Sequence, residues 1–72
     1  ELVASDLKIK LGISFLEKGD ANEAESLLKQ AYTKLDELQN IPRLSVAIKT
    51  LLRVYLQKND VEQAQEYLEK IL

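Results

Sequence analysis

The sequence predicts an all-α fold in which four helices form two stacked antiparallel helical hairpins. Only two glycines and one proline occur in the 72 residues, and Gly19 and Pro42 stand where helices should end or begin. Between these breaks, apolar residues recur at the three- and four-residue spacing of an amphipathic helix. No alternating run of β-branched residues lies between turn signals, so strands are not indicated. The predicted helices span about residues 3–18, 21–38, 42–58 and 61–72.

The first helix is apolar on two sides when its residues are placed at intervals of about 100°. One stripe consists of Val3, Leu7, Leu11 and Phe15, and the other consists of Ile9, Ile13 and Leu16. The second helix can cover only one stripe, and we expect it to cover the stripe that contains Leu11. A helix that is apolar on two sides must be sandwiched between partners.

The breaks after the first and third helices have the same form. Gly19 precedes Asp20, and Asn59 precedes Asp60. Glycine and asparagine readily adopt the left-handed conformation that closes a helix. The aspartate that follows can cap the next helix, and a glutamate or glutamine three residues later completes a capping-box pattern. Each break therefore predicts the end of one helix and the immediate start of another.

The second helix has the clearest apolar period. Its apolar residues are Ala24, Leu27, Leu28, Ala31, Leu35 and Leu38. We expect the opposite face to be solvated; it carries Glu23, Glu25, Lys29, Lys34 and Glu37. The break that follows contains Pro42, which fits the first turn of the third helix because its missing N–H is not needed there. The fourth helix repeats the apolar pattern at Ala64, Leu68 and Ile71. Tyr32 and Tyr67 lie beside these stripes, and we expect them to pack between helices.

The chain also repeats itself at an interval of 40 residues. The matching pairs are Leu11 and Leu51, Phe15 and Tyr55, Leu16 and Leu56, Lys18 and Lys58, Asp20 and Asp60, Ala24 and Ala64, and Leu28 and Leu68. Self-similarity at such a period is typical of helical-repeat arrays. The two alanines are expected where helices approach each other closely.

These positions resemble the pattern of the tetratricopeptide repeat, which has Leu-Gly, an aromatic residue, a turn glycine, a small alanine, a large apolar residue and another alanine. The first repeat, about residues 3–38, supplies Leu11, Gly12, Phe15, Gly19, Ala24, Leu28 and Ala31. The second repeat, about residues 42–72, supplies Leu51, Tyr55, Asn59, Ala64, Leu68 and Ile71. The resemblance implies a single domain over residues 1–72 that forms part of a TPR-like α–α superhelix. Because the chain does not begin with methionine, we expect it to be a fragment of a longer array.

The sequence departs from the family pattern in several places. Lys8 and Ile48 occupy the position of a helix-opening tryptophan, Leu52 replaces a glycine, and Asp36 stands where a closing proline is common. The repeat is 40 residues long, against about 34 in the usual form. Lengthened repeats of this kind resemble those of scaffold proteins and of some peptide-sensing regulators.

The resemblance places seven residues along the concave groove of the array: Ile9, Ile13, Leu16, Val46, Lys49, Arg53 and Leu56. An apolar groove can accept a partner helix or an extended segment. Lys49 and Arg53 are like charges one helical turn apart, and this unfavourable pair indicates an acidic contact on the partner. The carboxylate clamp of chaperone-binding members is not expected, because Ile9 and Ile13 stand at its lysine and asparagine positions.

Each assignment to the groove has an alternative. The apolar residues of the first helix could instead pack against the third helix or against an upstream repeat. The two cations could lie on a solvated face or pair with a nearby acid. Both interpretations of the apolar stripe leave an exposed apolar face on an isolated monomer, so self-association is also expected.

The composition argues against several other functions. No histidine or cysteine is available to activate a serine or to hold zinc, and no glycine run could cradle a phosphate. We therefore expect no enzyme, no metal and no cofactor. The net charge of −2 is spread over mixed signs, so direct nucleic-acid binding is not expected, and no apolar stretch is long enough for a membrane span. The absence of cysteine fits a reducing compartment, and we expect an intracellular, cytoplasmic protein.

The leading interpretation is a protein–protein interaction or scaffold module that binds a partner helix or peptide through its groove. One alternative is the peptide-sensing domain of a transcription regulator, whose output would come from an attached DNA-binding domain. Another is a purely structural dimerisation segment of a larger assembly.

Overall fold

The computed structural model describes the backbone of residues 2–71 and the side-chain environments of residues 3–70. It contains four α-helices: α1 Leu2–Glu17, α2 Ala21–Glu37, α3 Ile41–Gln57 and α4 Val61–Ile71. Every predicted helix end lies within one residue of the observed one, except that the end predicted at Leu72 lies outside the described residues. None of the described helices is both long and apolar enough to cross a lipid bilayer.

Three connections of one form, each three residues long, join the helices. The middle residue of each lies in the left-handed region, with φ of 88° at Gly19, 53° at Gln39 and 61° at Asn59. The next residue donates its backbone N–H to the carbonyl five residues earlier, over 2.8 to 3.1 Å. These Schellman motifs satisfy carbonyls that a helix end leaves unpaired. The left-handed conformation predicted at Gly19 and Asn59 is confirmed.

The same connections also open the following helices. The side chains of Asp20, Asn40 and Asp60 each accept a hydrogen bond from the backbone N–H three residues later, over 3.2 to 3.3 Å. Such N-caps occupy one of the N–H groups that the first helical turn cannot pair internally. The caps predicted at the two aspartates are confirmed, and Asn40 caps α3 ahead of Pro42.

The helices pack in chain order as antiparallel pairs, α1 on α2, α2 on α3 and α3 on α4, and α1 also contacts α3. The buried apolar residues are Ile9, Leu16, Ala24, Leu28, Ala31, Leu35, Ala47, Ile48, Leu51, Val54, Tyr55, Ala64 and Tyr67. The all-α prediction of two stacked hairpins is confirmed. The α2 stripe ends earlier than predicted, because Leu38 caps the helix and is 46% exposed.

The buried face of α1 is not the face that the apolar pattern predicted. Val3, Leu7 and Leu11, which we expected to contain the contact with α2, are 80%, 56% and 43% exposed. The buried residues of α1 are instead Ser5, Ile9, Gly12 and Leu16. They follow the spacing of one helical face, but two of them carry little or no apolar side chain. The prediction that α2 covers the Leu11 stripe is therefore wrong.

Gly12 explains why α2 packs on this face of α1. A Cβ atom at Gly12 would lie 2.8 Å from Cγ of Leu28, so the leucine packs directly against the α1 backbone. In the second hairpin Leu52 stands at the position of the glycine, and a leucine cannot admit the same approach. There Leu68, which corresponds to the fully buried Leu28, is 43% exposed. The Ile71 side chain, predicted on the same stripe, lies outside the described side chains.

Candidate partner-binding site

A groove between α1 and α3 contains three of the seven predicted site residues. Ile9, Ile13 and Val46 line it, and the other lining residues are Asp6, Lys10 and Arg43. Its volume is about 270 Å³. We call this surface the α1/α3 groove.

The apolar floor of the α1/α3 groove is graded from core to surface. Ile9 is only 6% exposed and belongs to the core, whereas Val46 is 46% exposed. Ile13 is half-buried and packs against the core from the groove side. Ile9 therefore fixes the floor, while Ile13 and Val46 are the residues that a bound segment could cover.

An ion pair crosses the α1/α3 groove. Nε of Arg43 on α3 donates a hydrogen bond of 2.8 Å to Oδ1 of Asp6 on α1. Both side chains are about 40% exposed, so solvent screens the pair and its contribution to stability is small. Its main effect is to hold polar groups of α1 and α3 together at one end of the apolar floor.

The other four predicted residues lie elsewhere. Leu16 is 4% exposed and belongs to the core, so it offers no surface in the α1/α3 groove. Lys49 and Arg53 are exposed on α3, one and two turns beyond Val46. Within the described residues, neither cation has an ion-pair or hydrogen-bond partner through its side chain. Leu56 is 62% exposed and lines a different groove.

That second groove lies between α3 and α4 and has a volume of about 430 Å³. Its lining residues are Leu52, Leu56, Val61, Ala64, Gln65 and Leu68. Three of the apolar side chains, Leu56, Val61 and Leu68, are exposed by 43% to 68%. Sequence reasoning missed this surface apart from Leu56. The available signal was Leu52, which replaces the glycine on which the first hairpin closes.

A polar cluster around Glu25 joins the two hairpins. Oε2 of Glu25 accepts a hydrogen bond of 2.6 Å from the Tyr55 hydroxyl, and Oε1 accepts one of 2.6 Å from Nζ of Lys58. Lys29, one turn along α2, adds an ion pair at 3.3 Å. The prediction that Glu25 lies on a solvated face is wrong, because α3 packs over its side chain and leaves it 20% exposed.

The electrostatics of this cluster favour the charged carboxylate. Partial burial acts to raise the pKa of Glu25, but hydrogen bonds from Lys58, Tyr55 and Lys29 outweigh it and lower the pKa to about 2. Burial, together with the hydrogen bond to Glu25, raises the pKa of Tyr55 above its ordinary value. The cluster is thus a fixed contact between α2 and α3, with an ionised acid and a neutral phenol.

Three tyrosines pack beside the Glu25 cluster. Tyr67 of α4 stacks on Tyr55 with ring centroids 5.6 Å apart, and Tyr32 of α2 meets it edge-on at 5.5 Å. Such offset and T-shaped pairs are favourable arrangements of aromatic rings. The expectation that Tyr32 and Tyr67 pack between helices is confirmed. Burial raises the pKa of Tyr67, as expected for a phenol in this position.

The described surfaces offer binding geometry more than reactive groups. Among the described residues, no group of three or more acidic side chains comes together as a metal site. The serines have no histidine or cysteine beside them, since the sequence contains neither. What the surfaces provide is exposed apolar area flanked by charge, which is the chemistry of protein recognition.

Comparison with known proteins agrees with this description. Residues 15–72 match the sequence profile of the tetratricopeptide repeat, which covers α2, α3, α4 and the last turn of α1. No match was found among curated proteins or among solved structures.

Proposed function

Because the chain belongs to the tetratricopeptide repeat family, whose repeats generally mediate protein–protein interactions, we propose that it binds a helix or extended segment of another protein in the α1/α3 groove. The observation that carries this proposal is the position of two accessible apolar side chains, Ile13 and Val46, on a floor fixed by Ile9. Covering them removes apolar surface from water without disturbing the core.

The charges around the groove define the chemistry of the partner. Lys10 lines the groove, and Lys49 and Arg53 continue the exposed face of α3 beyond Val46. The acid on the groove wall, Asp6, is already engaged by Arg43. A segment with apolar side chains at helical spacing and flanking Asp or Glu residues therefore fits this surface. Relief of the like-charge pair of Lys49 and Arg53 adds to its affinity.

A pair of matched peptides tests this chemistry. Both carry leucines at i, i+4 and i+7 on a helical background; one has glutamates and the other lysines at the flanking positions. We expect the glutamate peptide to bind at least tenfold more tightly in calorimetric titration at low salt. The difference should shrink at 1 M NaCl, where the screening length falls to about 3 Å. Equal affinities of the two peptides would contradict the proposed charge preference.

Substitutions test the location. We expect Val46→Asp to abolish binding of the glutamate peptide while helicity and melting temperature persist, because Val46 is largely exposed. Ile13→Asp should weaken binding similarly, with some loss of stability because Ile13 is half-buried. The matched control is Val61→Asp, at an exposed valine of the α3/α4 groove. Loss of binding in the control but not at Val46 would move the site to that groove.

A further inference from the structure

The internal repeat shows how the exposed stripe of α1 can be covered. Leu7 and Leu11 correspond, 40 residues later, to Ala47 and Leu51, which are fully buried. Those residues share one stripe of α3 with Tyr55, whose hydroxyl contacts α2 of the first hairpin. The stripe that is exposed in the first hairpin is thus covered, in the second hairpin, by the hairpin that precedes it. We call this surface of the first hairpin the N-terminal face; its residues are the exposed Val3, Leu7 and Leu11 and the half-buried Phe15, which also packs against the core.

The other end of the molecule presents the complementary surface. We call it the C-terminal face; its residues are Val46, Lys49, Arg53, Leu56, Gln65 and Leu68. All six are exposed. Their counterparts in the first hairpin, where α3 stacks, are the buried Ile9, Leu16 and Leu28 and the half-buried Asp6, Ile13 and Glu25. The C-terminal face is therefore the repeat-related copy of a surface that a following hairpin covers.

We propose that a second copy of this chain stacks head to tail on the first, with the N-terminal face of one copy on the C-terminal face of the other. The geometry is the one in which the second hairpin stacks on the first. It shares Val46, Lys49 and Arg53 with the surface proposed for partner binding. It also requires the N-terminal face, so a substitution at Leu7, outside the α1/α3 groove, separates the two proposals. Three sets of contact residues support it. In each set, the residues on the two sides differ from those of the contact within the chain, yet they still match each other.

The first set concerns the ion pair between α1 and α3. Within the chain, Asp6 pairs with Arg43 at 2.8 Å. In the proposed contact between copies, Val46 of the first copy takes the position of Asp6. Val3 of the second copy takes the position of Arg43. These valines are 46% and 80% exposed in the single chain. A charged pair is thus replaced by an apolar pair, and neither side is left with an unmatched charge.

The second set accounts for the like charges on α3. Within the chain, Val46 lines the groove beside Ile9 and Ile13, an apolar set. In the contact between copies, Lys49 and Arg53 of the first copy take the positions of the two isoleucines. Asp6 of the second copy takes the position of the valine. The two cations, which have no acidic partner among the described residues, then face Asp6, which keeps its ion pair with Arg43 of its own copy. An apolar set is replaced by an opposite-charge set.

The third set concerns the Glu25 cluster. Within the chain, Glu25 accepts hydrogen bonds from Tyr55 and Lys58. In the contact between copies, Gln65 of the first copy takes the position of the glutamate. Phe15 of the second copy takes the position of the tyrosine. The hydroxyl donor and the charged acceptor are both absent from this contact, so no carboxylate is buried beside the apolar ring of Phe15. Lys18, the counterpart of Lys58, can still donate to the Gln65 amide oxygen.

Head-to-tail contact uses two different faces, so it does not close after two copies. The 72-residue chain should therefore form a concentration-dependent series of oligomers. Sedimentation velocity over a wide concentration range measures this directly. A chain that stays monomeric up to millimolar concentration, or that stops sharply at a dimer, would overturn the proposal.

Two blocking variants test which faces meet. Leu7→Glu blocks the N-terminal face and Leu56→Glu blocks the C-terminal face; both residues are exposed, so helicity and melting temperature should be preserved. Each variant alone should be monomeric. Mixed at equal amounts, they should form a one-to-one heterodimer through their remaining intact faces. Monomers after mixing, or oligomers of either variant alone, would overturn the head-to-tail arrangement.

A charge exchange tests the alignment of the two copies. Val3→Arg and Val46→Asp should each weaken self-association at least tenfold, because each places one charge against a valine. To leave only the exchanged contact available, Leu56→Glu is added to the Val3→Arg chain and Leu7→Glu to the Val46→Asp chain. Mixing these two double variants restores the pair that Arg43 and Asp6 make within the chain, so association should recover. The control mixture pairs the Val3→Arg, Leu56→Glu chain with a Val61→Asp, Leu7→Glu chain, which places the acid outside the aligned contact. Equal recovery in both mixtures, or none in the first, would refute the alignment.

Discussion

The hydroxyl of Tyr55 donates a 2.6 Å hydrogen bond to Oε2 of Glu25 and so links the second hairpin to the first. The two residues are 30 positions apart in the sequence. Lys58 and Lys29 complete the charge balance of the carboxylate, and Tyr67 covers the Tyr55 ring. This contact makes the stacking of the hairpins specific, because it pairs a buried donor with an acceptor that solvent would otherwise have to satisfy.

Removal of that hydroxyl should weaken the stack. We expect Tyr55→Phe to lower the free energy of unfolding by about 1 to 2 kcal/mol, because the hydrogen bond to a charged acceptor is lost while the ring packing remains. Chemical denaturation followed by circular dichroism measures the change. The matched control is Tyr32→Phe, whose ring also packs on Tyr67. Equal losses in the two variants would show that the hydroxyl of Tyr55 contributes nothing specific.

Stability should depend on pH through Glu25. Its pKa is lowered from 4.5 to about 2 in the folded chain, so the carboxylate stabilises the fold fully above about pH 4.5. That contribution is lost as the pH falls from about 4.5 toward 2, and it is on the order of 2 kcal/mol when partial solvent screening is allowed for. Melting temperatures of the wild type and Glu25→Gln should therefore differ at neutral pH and converge in acid. A constant difference across this range would contradict the assignment.

Substitution of Gly12 by alanine should destabilise the fold. The new Cβ of Gly12→Ala would lie 2.8 Å from Cγ of Leu28, so the Leu28 side chain or the two helices must shift. We expect a net loss of about 1 to 2 kcal/mol, since overpacking outweighs the gain of about 1 kcal/mol in helix propensity. Denaturation gives the size, and the NMR signals of the Leu28 methyl groups should shift. A more stable variant would mean that the contact is looser than described.

Gly19→Ala is the matched control for that experiment. Nothing lies within 4 Å of a Cβ placed at Gly19, but its φ of 88° disfavours alanine. We expect a loss of about 1 kcal/mol from the backbone alone, with the Leu28 methyl signals unchanged. Backbone strain and side-chain crowding can thus be separated within one chain.

Ala24 should show the same sensitivity from the α2 side. It is fully buried, and Ala24→Leu adds three carbons to a packed interface. We expect a loss of about 1 to 3 kcal/mol, measured by thermal unfolding. Ala4→Leu, at an exposed alanine of α1, is the control and should change little. An unchanged melting temperature for the Ala24 variant would show that the first hairpin is aligned differently.

The helix ends were largely predictable because local chemistry determines them. Gly19 and Asn59 are residues that favour a positive φ, and Asp20 and Asp60 are strong caps. Gln39 adopts the same conformation without such a preference. Hydrogen bonding of the connection and capping by Asn40 hold it there, and neither is visible in the identity of the glutamine.

The faces of α1 were not predictable by counting apolar side chains. Gly12 and Ser5 mark the buried face, yet neither contributes to an apolar stripe. The Leu11 stripe is the more apolar of the two, and it is the exposed one. Close approach of two helices selects the smallest residue, which an apolar pattern does not register.

The candidate site was predictable only in part for the same reason. Ile13 and Val46 line one groove between α1 and α3, whereas Leu16 is in the core and Leu56 lines another groove. Glu25 looked like an ordinary solvated acid because its partners, Tyr55 and Lys58, lie in a different hairpin. Contacts of this kind depend on how hairpins stack, which local spacing does not specify.

The three connections between helices contain no residue without a structural role. Each consists of a helix-terminal residue, a left-handed residue and a cap, and all three positions have a structural task. Inserting a single residue into α2 after Glu25 would therefore rotate the following segments by about 100°, turning Tyr55 away from Glu25. Such a chain can gain or lose length without a rotational penalty chiefly in units of a complete hairpin, which is the unit that its sequence repeats.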